Sequence, residues 1–272
     1  MPPIDELLPL IVLLLATGAF AGVVAGLLGV GGGIVLVPVF FYIFSMAGYG
    51  SDELMRICLA TSLATIIVTS ARSVASHNRK GAVDWAILRG WGPGIAIGAL
   101  VGVWAVGELE SAALQMIFGG LGCLIALYFA FGRADWTLFQ GMATGAKRLA
   151  LSAGVGLLSV LMGIGGGSLG VPLMSLSGVP MHRAVATAAG FGMLIAVPSV
   201  LGFLLLSPDT APPLTLGYVN IPAFLIVIAM TILTAPLGVK LAHALPVRPL
   251  RLIFAGFILI MALNMLRAGL AG

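Results

Sequence analysis

Charged residues are scarce in this sequence. Of its 272 residues only 8% are Asp, Glu, Lys or Arg, whereas 60% are hydrophobic. A soluble domain carries about a quarter charged residues, so this composition cannot cover a surface exposed to water. It excludes a soluble globular protein and predicts a membrane protein. A bilayer core takes about 20 apolar residues per helix, so the length allows about ten crossings and leaves no room for a soluble domain.

Cysteine and histidine are also few. Cys58 and Cys123 lie inside apolar runs without the spacing of metal ligands, and His77, His182 and His243 lie at segment ends. We therefore predict no disulfide framework, no metal site and no cofactor. An H-E-x-x-H motif, a buried carboxylate pair and a Ser/His dyad are likewise not visible, so no catalytic residues are predicted and the chain is not expected to be an enzyme.

The small excess of positive charge does not indicate nucleic acid. The net charge of +4 comes from Lys and Arg residues that lie between apolar segments, where they set the orientation in the membrane. The expected partners are a small anionic substrate and membrane lipid, with a homo-oligomer left open. Asp5 and Glu6 stand where a secretory signal would carry positive charge, so residues 7–29 are predicted to be a retained membrane segment.

Ten apolar segments follow one another along the chain. Each is apolar throughout, whereas the spans of a membrane β-barrel would alternate apolar and polar residues. The predicted fold class is therefore an all-α membrane protein with about ten transmembrane or half-membrane helices. The segments are 7–29, 33–47, 54–76, 84–106, 111–131, 148–163, 168–178, 184–206, 217–241 and 250–268.

The sequence contains an internal repeat. G-V-G-G-G at 29–33 recurs as G-I-G-G-G at 163–167, and each cluster is followed by a proline, Pro38 or Pro172. Further matches occur in the same order along the chain, which indicates two copies of one five-segment unit. We predict a first repeat at 1–131, a cytoplasmic connector at 132–147 and a second repeat at 148–272. The further matches are A-T at 60–61 and 186–187, G-A-V-D at 81–84 with G-Y-V-N at 217–220, and I-F-G-G at 117–120 with I-F-A-G at 253–256.

Loop charges predict that the two copies are inverted. The loop after the third segment carries Arg79 and Lys80, while its counterpart in the second copy carries only Asp209. Since Lys and Arg stay cytoplasmic, corresponding loops are expected on opposite sides of the membrane, which gives an inverted 5+5 repeat with both termini outside. Asp84, next to the two basic residues, is expected to be their charge partner.

The glycine clusters are the first candidate site. Consecutive glycines break a helix, and a broken helix in a membrane must be buried in protein or line a cavity. Each cluster is therefore predicted to be the tip of a hairpin, with the two tips meeting near the midplane. Freed amides and the positive end of the short helix starting at Gly33 or Gly167 would suit an anion. Close helix packing is the alternative role for these glycines. The candidates are Gly31, Gly32, Gly33, Gly165, Gly166 and Gly167.

Hydroxyl side chains lie near the start of the third and eighth apolar segments. R-I-C-L-A-T-S-L at 56–63 contains Thr61 and Ser62, and H-R-A-V-A-T-A-A at 182–189 contains Thr187. These hydroxyls can donate hydrogen bonds to an oxyanion, or they can bond to their own helix backbone. Both roles remain open at this point.

The same two segments carry arginines. Arg183 lies on the predicted inner side, where it would attract an anion or simply follow the positive-inside rule. Arg56 lies on the predicted outer side, against that rule, so we expect it either to attract an anion or to pair with Asp52 or Glu53.

The motifs resemble those of the sulfite exporter TauE/SafE family of bacterial membrane permeases. The resemblance covers nearly the whole chain and is strongest at 26–38, 60–63, 163–172 and 182–187. It implies a plasma-membrane secondary transporter that exports small sulfur-containing oxyanions such as sulfite, sulfoacetate or other organosulfonates by alternating access. The family pattern would place a serine after the second threonine motif, where this chain has Ala188.

One rival interpretation of the repeat is an exporter or importer of a neutral or cationic metabolite. Such a transporter would line its cavity with acidic or aromatic residues, which the paired motifs do not supply.

Overall fold

The computed structural model describes residues 4–28, 32–132, 138–139, 141–244 and 247–271, and over these ranges the chain is almost entirely helical. Each of the ten predicted apolar segments corresponds to one helix, so the predicted fold class is confirmed. The helices are α1 (Ile4–Leu28), α2 (Gly33–Met46), α3 (Leu54–Arg79), α4 (Trp85–Glu108), α5 (Ser111–Phe131), α6 (Gly145–Leu161), α7 (Gly166–Leu176), α8 (Met181–Leu204), α9 (Ile221–Ala244) and α10 (Val247–Ala271).

Seven helices are long and apolar enough to cross a membrane in the part of the chain that the structure describes: α1, α3, α4, α5, α8, α9 and α10. Helices α2 and α7 are shorter, with 14 and 11 residues. They contain Pro38 and Pro172, the two prolines of the repeat. The chain is therefore a multi-pass membrane protein with short helices beside its long ones.

Most helix bounds differ from the predicted segments by one to four residues, and two of these differences, before α9 and at the start of α6, have a clear physical reason. Strands β1 (Thr215–Leu216) and β2 (Val219–Asn220) form a small antiparallel hairpin where the sequence predicts the start of a helical segment. Gly217 turns this hairpin with a φ of +54°, a value that side chains disfavour. Helix α6 begins at Gly145, inside the predicted connector, because hydropathy marks where the apolar run starts, whereas a helix can extend into its polar flank.

Helices α3 and α8 run antiparallel. Glu53, just before α3, accepts hydrogen bonds from the backbone amides of Asp209 and Thr210, which follow α8. At the opposite end, the backbone amide of Asp84, which follows α3, donates a hydrogen bond to Thr187 near the start of α8. The start of each helix therefore lies beside the end of the other.

The two helices cross at Gly192 of α8. A β-carbon at this glycine would overlap the hydroxyl oxygen of Ser70 and would lie 3.5 Å from Ile66, both on α3. A side chain at this position would force Ser70 to shift, because the two helices approach so closely. Of the seven long apolar helices, α3 and α8 are also the most buried, so this crossing is the centre of the bundle.

The two ends of the bundle carry opposite charge. At the end where α3 begins, Ser111 donates to the carbonyl of Asp52, which brings the loop before α5 beside the start of α3. We call it the carboxylate end, because it holds Asp52, Glu53, Glu108, Glu110 and Asp209. The opposite end, where α3 stops and α4, α6 and α8 begin, is the basic end, with Arg79, Lys80, Arg89, Lys147, Arg148 and Arg183.

Two helical hairpins enter the bundle from opposite ends. Helix α1 runs parallel to α9, since Gly18 packs on Val227 and Gly22 on Thr231, so the α1–α2 hairpin begins at the carboxylate end. Helix α6 runs parallel to α4, since Gly94 packs on Ser152 and Gly102 on Val160, so the α6–α7 hairpin begins at the basic end. The pairing of α1 with α9 matches that of α6 with α4, and α5 packs on α10, an arrangement compatible with an inverted repeat.

Candidate functional site

The two glycine breaks meet inside the bundle. Gly33 is the first residue of α2, and a β-carbon on it would lie 2.7 Å from the carbonyl oxygen of Gly163 and 3.1 Å from Cα of Ile164. Gly32 precedes it with a φ of +75° and is buried. The predicted meeting of the two breaks is confirmed by this contact. Gly31, which the sequence also suggests, lies outside the described residues.

The second break is a tight reversal between α6 and α7. Gly163 has a φ of +59°, and the next amide, that of Ile164, donates to the carbonyl of Ser159 at 2.9 Å. Gly166 then begins α7, where a β-carbon would overlap Phe191 and would lie 2.7 Å from the carbonyl oxygen of Ala188 on α8. These glycines therefore interrupt the helix and allow the close packing that was the alternative role for them, whereas anion binding at the break stays a prediction.

The start of α7 is buried and has no side-chain cap. Gly165 is the N-cap residue, and it is buried together with Gly166 and Gly167. The first amides of a helix have no acceptor within it, and they carry the positive end of the helix dipole. The second break therefore directs hydrogen-bond donors and partial positive charge into the protein interior.

Ser62 ties α3 to the second break. Its hydroxyl is buried and donates a 2.7 Å hydrogen bond to the carbonyl oxygen of Gly163. In this structure the hydroxyl therefore satisfies a carbonyl at the break. Ala188, at the matching position of the second copy, cannot make an equivalent bond.

Thr61 and Thr187 each hold the start of a helix from the other half of the chain. The backbone amide of Asn220 donates to Thr61 Oγ1 at 3.0 Å, and that of Asp84 donates to Thr187 Oγ1 at 2.9 Å. Both threonines are fully buried. We call these two hydrogen bonds the threonine latches.

The residues that the latches hold are also matching helix caps. The Asp84 carboxylate accepts from the amide of Ala86 at the start of α4, and the Asn220 side chain accepts from the amide of Ala223 at the start of α9. These two residues align in the G-A-V-D and G-Y-V-N matches of the repeat. This alignment in the sequence indicates matching roles for Asp84 and Asn220, although neither is among the predicted substrate-binding residues.

The two latches lie on opposite sides of the α3/α8 crossing. Thr187 precedes Gly192 by five residues, and Thr61 precedes Ile66 and Ser70, the two residues at the crossing, by five and nine residues. With a rise of about 1.5 Å per residue, Thr187 lies about 7 Å from the crossing and Thr61 about 7 to 13 Å, in the opposite direction because the helices are antiparallel. The two threonines are therefore separated by roughly 15 to 20 Å along the bundle instead of meeting at one point.

Arg56 lies in a polar network at the carboxylate end. Its guanidinium is 3.4 Å from the Glu53 carboxylate and donates to the carbonyl of Leu109 at 3.1 Å. Of the two roles open for Arg56, the structure contains the ion pair with Glu53.

Glu53 receives further hydrogen bonds in this network. Burial favours a higher pKa for Glu53, but hydrogen bonds from the Tyr218 hydroxyl and from the amides of Thr210 and Asp209, together with the Arg56 charge, hold its pKa below the ordinary value. Burial, with the bond to Glu53, raises the pKa of Tyr218. The network therefore keeps Glu53 ionised and Tyr218 neutral.

Arg183 lies at the basic end and pairs with Asp84 at 3.1 Å. The expected partners of Asp84 were Arg79 and Lys80, and the structure corrects this, because the antiparallel packing brings α8 to the turn after α3. The Arg183 side chain is 45% exposed, so a solute at this end of the bundle can reach it.

The described interior contains no buried charge. Its fully buried polar side chains are serines, threonines, one glutamine and one asparagine. Around the glycine breaks, the groups available to a solute are therefore amides and hydroxyls, which can bind an anion but carry no general acid or base. An apolar surface groove near β1, with a volume of about 550 Å³, is lined by none of the predicted substrate-binding residues.

Paired helix breaks that meet inside a bundle of membrane-spanning helices occur in membrane transporters, and the fold of this protein is compatible with that class. The family model described as "Sulfite exporter TauE/SafE" matches residues 14–265. The chain belongs to the sulfite exporter TauE/SafE family and is a membrane transporter.

Curated relatives carry names of the same kind. A "probable membrane transporter protein" of Haemophilus influenzae is 30% identical over 257 residues, which cover 94% of this chain and 97% of the relative. A protein of the same description from Methanocaldococcus jannaschii is 26% identical over 96% of this chain and 97% of its own length. YunE of Bacillus subtilis, also a "probable membrane transporter protein", is 31% identical over 65% of this chain and 72% of its own length. No solved structure matches the chain.

Proposed function

We propose that the protein is a secondary transporter that exports small sulfur-containing oxyanions, such as sulfite, sulfoacetate or other organosulfonates, across the bacterial plasma membrane. The observation that carries this proposal is the contact of Gly33 with Gly163, which joins the two helix breaks inside the bundle. The description of the family as sulfite exporters supports the choice of substrate.

The substrate would bind to backbone groups at the breaks. Glycines 31–33 and 165–167 have no side chains to cover their amides, and the short helices α2 and α7 present their positive ends there. Few waters compete for hydrogen bonds in an interior of low dielectric, so hydrogen bonds from amides and hydroxyls stabilise a negative charge strongly there. Ser62 contributes by satisfying the Gly163 carbonyl, which would otherwise repel an anion.

The threonine latches would serve as the gates of alternating access. In this structure both latches are closed, one on each side of the crossing. Opening one latch while the other stays closed would expose the breaks to one side of the membrane, and the freed threonine hydroxyl could donate to the passing anion. The repeats 1–131 and 148–272 would then move relative to each other as two halves of an inverted repeat.

We place the basic end in the cytoplasm, following the positive-inside rule. Helix α1 begins at the carboxylate end. The last turn of α10 also lies there, because Gly269 packs against Ala112 at the start of α5. Both termini would therefore face outward. Arg183 would attract the anion at the inner mouth, and Arg56 would do so at the outer mouth. An inside-negative potential drives anions outward by about 2.3 kcal/mol per charge for each 100 mV.

The test is efflux from proteoliposomes. Vesicles containing the purified protein would be loaded with labelled sulfite or sulfoacetate, and efflux would be followed with and without an imposed potential. We expect efflux faster than from protein-free vesicles, competition by unlabelled oxyanion and acceleration when the vesicle interior is negative. Selective transport of a neutral or cationic metabolite, with no oxyanion flux, would refute the proposal.

A further inference from the structure

The second glycine break carries two polar side chains whose function is not yet accounted for. Ser159 lies in the last turn of α6, and Ser168 lies in the first turn of α7. Both are fully buried, and neither hydroxyl has a hydrogen-bond partner in the described parts of the chain. Burying an unpaired hydroxyl costs free energy, so such groups in a native protein usually have a ligand or a functional reason.

Ser168 belongs to the first turn of α7. It is the third residue of this 11-residue helix, and side chains on a helix lean toward its N-terminus. The N-cap residue, Gly165, has no side chain to cap the helix, and the first-turn amides have no intrahelical acceptor. The Ser168 hydroxyl is therefore one more donor beside a row of buried amides.

The reversal of the chain brings the Ser159 turn to the same break. The amide of Ile164 donates to the carbonyl of Ser159, so the last turn of α6 folds against the residues that precede α7. The Gly163 carbonyl is satisfied by Ser62 and does not face a solute as a free acceptor. The unpaired side-chain groups at this break are therefore two hydroxyls, which can donate to a small oxyanion as the first-turn amides of α7 can.

The first break lacks the equivalent hydroxyl. When the glycine cluster at 29–33 is aligned with that at 163–167, Ile34 stands opposite Ser168. Ile34 is buried and apolar and has no group to offer an anion. The two breaks are therefore unequal as binding sites, although they meet in the fold.

We propose that the oxyanion is held at the second break, by the hydroxyls of Ser168 and Ser159 together with the first-turn amides of α7. The first break covers this site but contributes fewer hydrogen-bond donors to it. This inference rests on the proposed function and assigns the substrate to one half of the chain.

The test is anion-dependent thermal stabilisation of the full-length protein in detergent, measured with sodium sulfite, sodium sulfoacetate and sodium chloride. The variants are Ser168→Ala and Ser159→Ala. The control is Ser199→Ala, because Ser199 is also fully buried but its hydroxyl donates to Ile195 of its own helix. We expect the oxyanions to stabilise wild type and Ser199→Ala alike, and the half-saturating concentration to rise about tenfold or more in the other two variants.

Stability without the oxyanion provides a second measurement. A methyl group needs no hydrogen-bond partner, so Ser168→Ala and Ser159→Ala should melt at the wild-type temperature or above it in chloride. If either variant melts clearly lower in chloride, its hydroxyl has a structural partner and its role in binding is refuted. If one of the two serine variants cannot be purified in folded form, the oxyanion response of the other variant tests the inference.

The outcomes separate the two proposals. If wild type responds to an oxyanion but both serine variants respond as Ser199→Ala does, the inference is overturned and the proposed function stands. If no oxyanion stabilises the wild type and none is transported in proteoliposomes, the proposed function fails and the inference falls with it.

Discussion

The hydroxyl oxygen of Thr61 accepts a 3.0 Å hydrogen bond from the backbone amide of Asn220, a residue from the other half of the chain. Both residues are buried, so no water is available to replace this bond. The same relationship recurs between Thr187 and the amide of Asp84. Each half of the chain thus supplies one hydroxyl that fixes where a helix of the other half begins.

Replacing either latch threonine by valine should destabilise the protein. Valine has nearly the shape of threonine but cannot accept a hydrogen bond, so Thr61→Val or Thr187→Val would leave a buried amide unsatisfied, at a cost of about 1–3 kcal/mol. Thermal unfolding in detergent measures the effect. The control is Thr69→Val, because that hydroxyl bonds within its own helix. Equal melting temperatures for all three variants would show that the latches contribute no stability.

Alanine should not be tolerated at the glycine breaks. A β-carbon at Gly33 or Gly166 would meet backbone atoms of the opposing element, which cannot move aside as a flexible side chain can. We expect Gly33→Ala and Gly166→Ala to cost about 1–3 kcal/mol or more and to abolish oxyanion flux. Gly120→Ala is the matched control, because this glycine of α5 has open space around it. Wild-type flux in either break variant would contradict the close contact.

The sequence alone predicted the helices and the meeting of the two breaks. Apolar runs locate membrane helices because the bilayer allows few alternatives, and the glycine clusters could break a helix only where protein surrounds them. The hairpin at β1 and β2 was missed because it depends on the left-handed conformation of Gly217 within an apolar stretch. Hydropathy does not detect such a turn.

The partners of the polar side chains were harder to predict. Thr61, Thr187 and Ser62 were identified as hydroxyl donors, but the groups they contact come from distant parts of the chain. The separation of the two threonines follows from the antiparallel crossing of α3 and α8, which only the packing fixes. A single sequence shows which chemical groups a site can contain, but it does not show which of these groups contact each other.

The network at Glu53 should make stability depend on pH in the acid range. The folded-state pKa of Glu53 lies below its ordinary value of 4.5, so its contribution is present above pH 4.5 and is lost as the pH falls through the folded-state pKa. Glu53→Gln removes this titration. We expect the wild type to melt higher than Glu53→Gln at neutral pH and the difference to shrink on acidification through that range. A difference that stays constant with pH would contradict this assignment.

The two arginines should behave differently. Arg183 forms a half-exposed ion pair, and such pairs contribute only about 0–1 kcal/mol, so Arg183→Ala should melt close to wild type. If Arg183 attracts the anion at the inner mouth, this variant should transport several-fold more slowly, whereas Arg183→Lys should keep much of the rate. Arg56→Ala should instead lower the melting temperature, because it removes the charge partner of Glu53. Unchanged flux in Arg183→Ala would exclude Arg183 from the transport path.

If the two joined breaks form the anion site, a bound oxyanion can be located there directly. Selenite has the shape and charge of sulfite, and its selenium can be located by anomalous scattering in crystals of the protein. We expect a selenium peak inside the bundle, between Gly33 of α2 and the start of α7 at Gly165–Ser168. Selenium only at surface arginines, with the breaks closed on each other and no anion between them, would contradict it.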